Sequence, residues 1–598
     1  MDNHAKIIRG RSRTWKFHPE QAEARELLCR ELGISRRLAT LLLNRGQATP
    51  EQADGFLNPS LHDLPNPFQL SGMKAAVERL IMAFRKKEKI FIFGDYDMDG
   101  IAATAILVDF LRRVGFVVDY SIPSRLVDGY GLNHEAIDRA AEKGATLALT
   151  VDCGISNREE IEHARSLGLD FIITDHHQVP EQIPAAVAVI NPHQKDCDYP
   201  FTELAGVGVA FNLMMALRKG LREAGLASDV NLLQYLDLVA LGTVADVMPL
   251  TGVNRILVAY GLNEINQARR CGLRALLQAC RFTRGQQISA RDLAFRLAPR
   301  VNAVGRIADA GSAVALFLSR DRAQAGQLAD FLVECNKNRQ EIEKEIFRQA
   351  EERLAADEKL AEARVIVLAS TDWHPGVVGI VSSRLAESHG KPTLLLALDD
   401  ENIGRGSGRS IPGLDLVRAL ELCGARMQRF GGHAQAVGLT IAANDIDELR
   451  NRLDSYLAEH EPRPETHPEL WLDGILEAGE ITTELINDLD RLQPFGYGNP
   501  EPAFALTGVK VARATPLHAN GRRHFKFSFQ LPRRKPLLPG IAFNFSGPAP
   551  QSGAHLDLAF TPEENVWRGN PELRLKLIDI RQPEKSSAAV EEGALAAD

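Results

Sequence analysis

Apolar and polar positions follow several rhythms along the chain. Between about residues 70 and 250, short β-rich runs (KIFIFG, FVVDYSIP, TLALTVD, LDFIITD, AVAVINP) alternate with stretches of helical spacing such as IAATAILVDFLRRVG and NREEIEHARSLG. That alternation predicts βαβ units and a parallel sheet. From 321 to 363 the chain has one Gly, no Pro and many helix formers, which predicts a single helix of ~40 residues, a strut of about 60 Å. A second α/β unit is expected from 364 to 460, with strands RVIVLAS, PTLLLAL and QAVGLTIAA and the helical DIDELRNRLDSYLAEH. Beyond the turn-rich EPRPETHPE, the period-two stretches HFKFSFQL, LDLAFTP and LRLKLIDI predict a small β-barrel over 466 to 580. The residues from 583, EKSSAAVEEGALAAD, have the composition of a disordered tail. The fold class is therefore α/β with a C-terminal barrel: an N-terminal segment (1–69), a parallel-sheet domain (70–320), a connecting helix (321–363), a second α/β domain (364–460) and the barrel.

Composition narrows the class. A chain of 598 residues exceeds what one core supports, so about three folding units are expected. Hydrophobic content of 45% and charged content of 25% match ordinary globular proteins, and no uncharged apolar run approaches the ~18 residues of a membrane span. The start, MDNHAKIIRGRSRTWKF, lacks the apolar core of a secretion signal, so a cytoplasmic location is expected. Seven scattered cysteines, never spaced as CxxC, read as reduced residues and not as a disulfide frame or zinc site. The net charge of −8 excludes a globally basic nucleic-acid coat but leaves room for a local positive groove beside an acidic site.

The candidate chemistry sits where strands end. IFIFGDYDMDG delivers Asp95 and Asp97, TLALTVDCG delivers Asp152, and LDFIITDHH delivers Asp175, His176 and His177. Parallel sheets place ligands outside the carboxyl ends of their strands, where loops converge. Each ending alone reads as a turn or helix cap. Three such endings that together bring carboxylates and imidazoles suit Mn²⁺ or Mg²⁺, and the lack of Cys among them argues against zinc thiolate chemistry. An EF-hand is excluded, because the twelfth loop position counted from Asp95 is Ile106 and not Glu. A fourth acid, Asp246, follows the apolar LVALGTVA, where it needs a partner or a metal.

The set DYDMDG, VDCG, DHH and GTVADVMPL resembles the DHH phosphoesterases. The resemblance extends over almost the whole chain through PSRLVDGYGLN, RVNAVGRI, HPGVVGIVSSRLAE, GRGSGRS, GGHAQAVG and LQPFGYGNPEPAF. It implies a second, DHH-associated domain, an OB-fold barrel, and two divalent cations held by Asp95, Asp97, Asp152, His176 and Asp246, with Asp152 bridging. It also implies that Asp175 fixes the ring of His176 and that His177 contacts the scissile phosphate or assists the leaving group. Where small-substrate members of the family carry a further His, four residues before the first Asp, this chain has Phe91. That departure points to the branch that digests single-stranded DNA from its 5′ end in recombination and repair. A single-strand-binding protein and a helicase are the implied partners, and a monomer the implied state.

Substrate choice is expected from basic and hydroxyl residues in those runs. Arg125 and Tyr130, Arg306, Ser407 and Arg409 are candidates, since guanidinium forks fit phosphate oxygens. GRGSGRS reads as a glycine-rich loop whose backbone N–H groups face an anion. By resemblance, Arg125, Ser407 and Arg409 capture a terminal 5′-phosphate and His433 lines the substrate cleft. In RRHFKFSFQ, period-two alternation puts Phe525, Phe527 and Phe529 on the barrel's core face and His524, Lys526 and Ser528 on the other, so that Arg522, Arg523 and Lys526 become candidate DNA contacts. Two other readings are a DHH enzyme for short oligonucleotides or cyclic dinucleotides, disfavoured by Phe91 and the barrel, and a non-catalytic strand-binding protein, disfavoured because all five ligands are present.

Overall fold

A computed structural model describes residues 7–9, 13–123, 131–226, 229–460, 468–519, 522–531, 537–545, 548–567 and 570–583. The chain forms two compact units, one of Leu64–Pro464 and one that joins Met1–Asp63 to Glu465–Asp598.

In the larger unit, the apolar runs form an all-parallel five-stranded sheet. Its spatial order is Val117–Ser121, Lys89–Gly94, Ala145–Val151, Asp170–Thr174 and Ala188–Ile190. The chain runs outward from Lys89–Gly94 in one direction and then returns to continue in the other. The carboxyl ends of Lys89–Gly94 and Ala145–Val151 therefore flank the point where strand order reverses, the usual ligand crevice of an open α/β sheet. Helices cover both faces, which is why the strands are buried almost end to end. Helix Met98–Val114 is buried on every side from Met98 to Leu111. Its small residues (Gly100, Ala102, Ala103, Ala105) let it pack between the sheet and the apolar helices Gly206–Glu223 and Leu236–Ala245.

The expected strut is helix Arg322–Ala356, 35 residues long. It stops short of the expected length because the Asp357 side chain accepts hydrogen bonds from Lys359 and Leu360 N–H and so starts a new short helix, Glu358–Glu362. Ala325, Ala329, Leu332, Cys335, Ile346, Ala350 and Leu354 make a buried stripe along it, which binds it to its neighbours throughout its length. The second sheet of this unit runs Arg429–His433, Ala436–Ala442, Ile403–Arg409, Thr393–Leu398, Ile366–Ser370, antiparallel except for its last pair.

In the smaller unit, strands Phe504–Ala519, Arg522–Gln530, Leu538–Ala542, Asn570–Arg581 and His555–Trp567 pair in that order, and the last pairs back onto the first to close a barrel. Phe525, Phe527 and Phe529 fill it, as their alternation requires. Helices Ala22–Leu32, Arg36–Asn44 and Pro50–Leu57 bring Leu28, Leu38, Leu41, Leu42 and Phe56 to the same core, a long-range association with no local signal. No helix among the described residues is long and apolar enough to cross a membrane. The expected tail lies outside the described residues from 584 onward.

Because Phe527 stacks on Phe529 at 5.4 Å inside the barrel, Phe527→Ala is expected to destabilise the smaller unit by about 3–5 kcal/mol. Calorimetry of the full chain should show that unit's unfolding moved to lower temperature. An unchanged thermogram would contradict the assignment of these rings to the core.

Candidate active site

The turn after Lys89–Gly94 carries Asp95, Tyr96 and Asp97. Asp97 is the N-cap of Met98–Val114, and its Oδ1 accepts from Asp99 N–H (2.9 Å) and Gly100 N–H (3.1 Å). The cap commits one oxygen and orients the other, so helix start and metal ligand are compatible uses of one carboxylate. Asp152 has φ 62°, a left-handed backbone that is rare for a non-glycine residue, held by its N–H bond to Thr174 O (3.0 Å). Strain of this kind survives where the surroundings impose it, commonly at functional sites. Gly206, at the start of Gly206–Glu223, must lack a side chain, since a Cβ would lie 2.6 Å from Asp152 Oδ1. Asp246 closes the C-terminus of Leu236–Ala245.

These elements bring the predicted ligands together. Donor atoms of Asp95, Asp97 and Asp152 lie within 4.8 Å of one another, and the same holds for Asp152, His176 and His177 and for Asp99, His176 and Asp246. Asp152 belongs to two of these groups. Nε2 of His176 lies 3.1 Å from Asp152 Oδ1 and 3.5 Å from Asp246 Oδ2. Burial, assisted by His177, lowers the His176 pKa to about 4, so its ring is neutral. Asp152 Oδ1 is buried and, among the described residues, accepts no hydrogen bond. Two electron-pair donors thus face each other in a buried space, as ligands of a shared cation do.

The charge balance supports that reading. Burial, then the neighbouring acids Asp99, Asp97, Asp95 and Asp246, push the Asp152 carboxyl well above the usual range. Burial with Asp97 raises Asp246 to about 7. Carboxylates crowded in this way need protons or cations, and oxygen-rich donors with one imidazole suit Mn²⁺ or Mg²⁺.

Asp175 departs from its expected role. Its Oδ1 faces Nδ1 of His177 at 2.7 Å and accepts the N–H groups of His176 (2.7 Å) and His177 (3.1 Å), while Oδ2 accepts Ile155 N–H (2.9 Å). It therefore fixes the ring of His177. Among the described residues no hydrogen bond joins Asp175 to the ring of His176. Burial alone would lower the His177 pKa, but the Asp175 contact, followed by the charges of Asp246 and Asp95, carries it up to about 9.

Asp99, which sequence reading passed over, is fully buried beside the ligands. Its carboxylate accepts Gly206 N–H (2.6 Å) and Val207 N–H (3.0 Å), anchoring the N-terminus of Gly206–Glu223 over the site. Burial, then Asp246 and Asp97, raise its pKa strongly. The spacing DxDxD was the available signal, but a partner more than a hundred residues away was not. Asn302 was likewise missed: its Oδ1 accepts Met98 N–H (2.6 Å), and a Cβ on Gly305 would lie 2.5 Å from Tyr96 O, so the NAVGR helix, Ala298–Ile307, buttresses the metal-site turn. Phe91 is sealed with Phe93 and Phe171 in an apolar cluster, so it brings no donor to the site.

GRGSGRS is a strand, Ile403–Arg409, and not the expected loop. Its glycines alternate onto the packed face, where a Cβ at Gly408 would lie 2.6 Å from Val437 and one at Gly406 2.7 Å from Leu395 O. Period two then puts Arg405, Ser407 and Arg409 on the opposite face, where they line a cavity of about 370 Å³ with Pro375, Gly376 and Thr440. Arg409 Nη1 donates to Ser407 Oγ (2.8 Å). Arg306 donates to Gly376 O (3.2 Å), tying the NAVGR helix to this cavity's wall. His433 is exposed at the end of Arg429–His433. Arg523 and Lys526 are exposed on their barrel strand. Arg125, Tyr130 and the side chain of Arg522 lie outside the described residues.

Three parts of the chain match known families. Residues 89–243 match the DHH family, N-terminal domain, residues 362–459 the DHHA1 domain, and residues 472–579 the RecJ OB domain. The chain is 40% identical to the single-stranded-DNA-specific exonuclease RecJ of Escherichia coli over 86% of its own length and 90% of that protein's. Its fold is similar to crystal structures of RecJ from Thermus thermophilus. With the Mn²⁺ complex the TM-score is 0.81 and identity 32%, covering 96% of this chain and 80% of the other. With the Mg²⁺ complex the TM-score is 0.75 and identity 31%, covering 96% and 79%. The chain belongs to the RecJ family of single-stranded-DNA-specific exonucleases.

Proposed function

We propose that this enzyme removes 5′ mononucleotides, one after another, from the 5′ end of single-stranded DNA in recombination and repair, using two divalent cations, Mn²⁺ or Mg²⁺. The observation that carries the two-cation reading is the position of Asp152, whose carboxylate belongs both to the group with Asp95 and Asp97 and to the group around His176. Asp152 would bridge, Asp95 would serve one cation, and Asp97, whose donor atom also lies near Asp95, would with His176 and Asp246 complete the site of the other. Bound there, the cations supply Lewis acidity for an in-line displacement at phosphorus.

The chain's own residues do the rest. Protonated His177, its Nδ1 held by Asp175, can donate from Nε2 to the 3′ oxygen that leaves as the P–O3′ bond breaks. Water supplies the oxygen that joins phosphorus, so no covalent enzyme intermediate forms. Polarity comes from the cavity of Arg405, Ser407 and Arg409, which suits a terminal 5′-phosphate: guanidinium groups and a hydroxyl share one face, and the helix Val378–His389 starts beside it with no side-chain cap. The exposed Arg523 and Lys526 suit the phosphates of the trailing strand.

An oligonucleotide labelled at its 5′ end should lose the label as mononucleotide in Mn²⁺, resist digestion as a blunt duplex and survive intact with chelator. Loss of a 3′ label first would contradict the polarity. Asp152→Ala should lower kcat/KM by about 10³-fold or more while single-strand binding persists. Arg409→Ala should raise KM about tenfold for 5′-phosphorylated strands and little for 5′-hydroxyl strands. In the metal-free protein, protonation stabilises the folded state while pH lies below the raised Asp246 value of about 7, and that contribution is lost as pH rises through it. Its thermal midpoint should therefore fall between about pH 6 and pH 8, and saturating Mn²⁺ should restore about 5 °C at the higher pH and less at the lower. A midpoint that rises with pH would contradict the crowding of these acids.

A further inference from the structure

Helix Leu236–Ala245, which delivers Asp246, ends in a Schellman turn. Met248 N–H bonds Thr243 O (3.2 Å) and Val247 N–H bonds Val244 O (3.3 Å). The turn requires a left-handed residue after the cap, and Val247 has φ 57°. Glycine ordinarily fills this place, because any Cβ there crowds the following carbonyl and a β-branched side chain crowds it most. Among the described residues, Val247 is the one β-branched residue with positive φ.

Burial does little to offset that strain. Val247 is 64% exposed, so its methyl groups contribute little to any core. A glycine or asparagine would close the same turn at lower cost, and strain retained in this way clusters where a side chain has a use outside the fold. Its location suggests which. The metal cluster is open to solvent at Asp246 and His177, whose side chains are 27% and 40% exposed. Val247 follows Asp246 directly, one Cα step of about 3.8 Å away. The charged part of a nucleotide is claimed by the cluster, and an uncharged branched side chain beside it fits the apolar part. Valine also suits the task because its χ1 is stiff, so it forms a fixed wall with little rotamer freedom to lose.

We propose that Val247 is a substrate-contact residue whose methyl groups pack against the base of the nucleotide whose linkage is cut. The proposal rests on the exonuclease reading above. A contact to the flat apolar surface reads no base edge, so it holds any terminal base in register without sequence preference.

The test compares full-length wild type with Val247→Gly and Val247→Asn, both of which tolerate the left-handed turn. The substrates are 5′-phosphorylated oligonucleotides with either a normal or an abasic first residue. Both variants should denature at or above the wild-type temperature and bind Mn²⁺ with unchanged affinity by calorimetry. KM for the normal strand should rise about tenfold with kcat little changed. The penalty for the abasic end should be large in wild type and vanish in the variants, as a double-mutant cycle requires for a direct contact. An unchanged KM, or an equal abasic penalty in all three proteins, overturns the proposal. Weakened Mn²⁺ binding overturns it too, because Val247 would then act through Asp246. A wild-type protein that leaves single-stranded DNA intact overturns the exonuclease reading instead, before any variant is compared.

Discussion

Like charge crowded at the carboxyl ends of parallel strands is the constraint around which the larger unit is built. Asp95, Asp97, Asp152 and Asp246, with Asp99 beside them, are delivered to one place by separate elements. Asp95, Asp99 and Asp152 are buried there, so the carboxylates repel one another more than they would in solvent. The fold tolerates the arrangement because the surrounding packing dictates it. A left-handed Asp152 is locked by the neighbouring strand, a helix starts on Asp97, and a glycine lets Gly206–Glu223 come within contact of Asp152.

The same packing links the acidic cluster to the cavity lined by Arg405, Ser407 and Arg409. The turn DYD rests on the helix Ala298–Ile307 through Asn302 and Gly305, and that helix reaches Gly376 through Arg306. A single short helix thus touches both the turn that carries Asp95 and Asp97 and the wall of the cavity lined by Arg405, Ser407 and Arg409. Helix Arg322–Ala356 is packed along its length by a buried stripe, so it holds these parts as a brace. An exonuclease needs a fixed spacing between end recognition and cleavage, and rigid elements provide it better than loops.

Much of this was legible in the sequence, because strand ends and periodicity are local properties. The parallel sheet, the strand endings that carry Asp95, Asp97, Asp152 and His176, and the barrel core of Phe525, Phe527 and Phe529 each follow from residues near one another in the chain. What escaped depends on distance or on three-dimensional crowding. Asp99 anchors a helix start that lies far along the chain. Asp175 chooses His177 over His176 by backbone geometry that adjacency in sequence leaves open. GRGSGRS looks like a flexible loop until the pressing neighbours Leu395 and Val437 show why every second residue is glycine. Asp357 ends a helix that propensity alone would continue.

In the proposed reaction one carboxylate, Asp152, joins two cation sites. Anomalous diffraction from crystals grown with Mn²⁺ tests it most directly. Two peaks should appear, each within coordination distance of Asp152, one also near Asp95 and the other also near His176 and Asp246. A single peak, or two peaks of which only one touches Asp152, would contradict it.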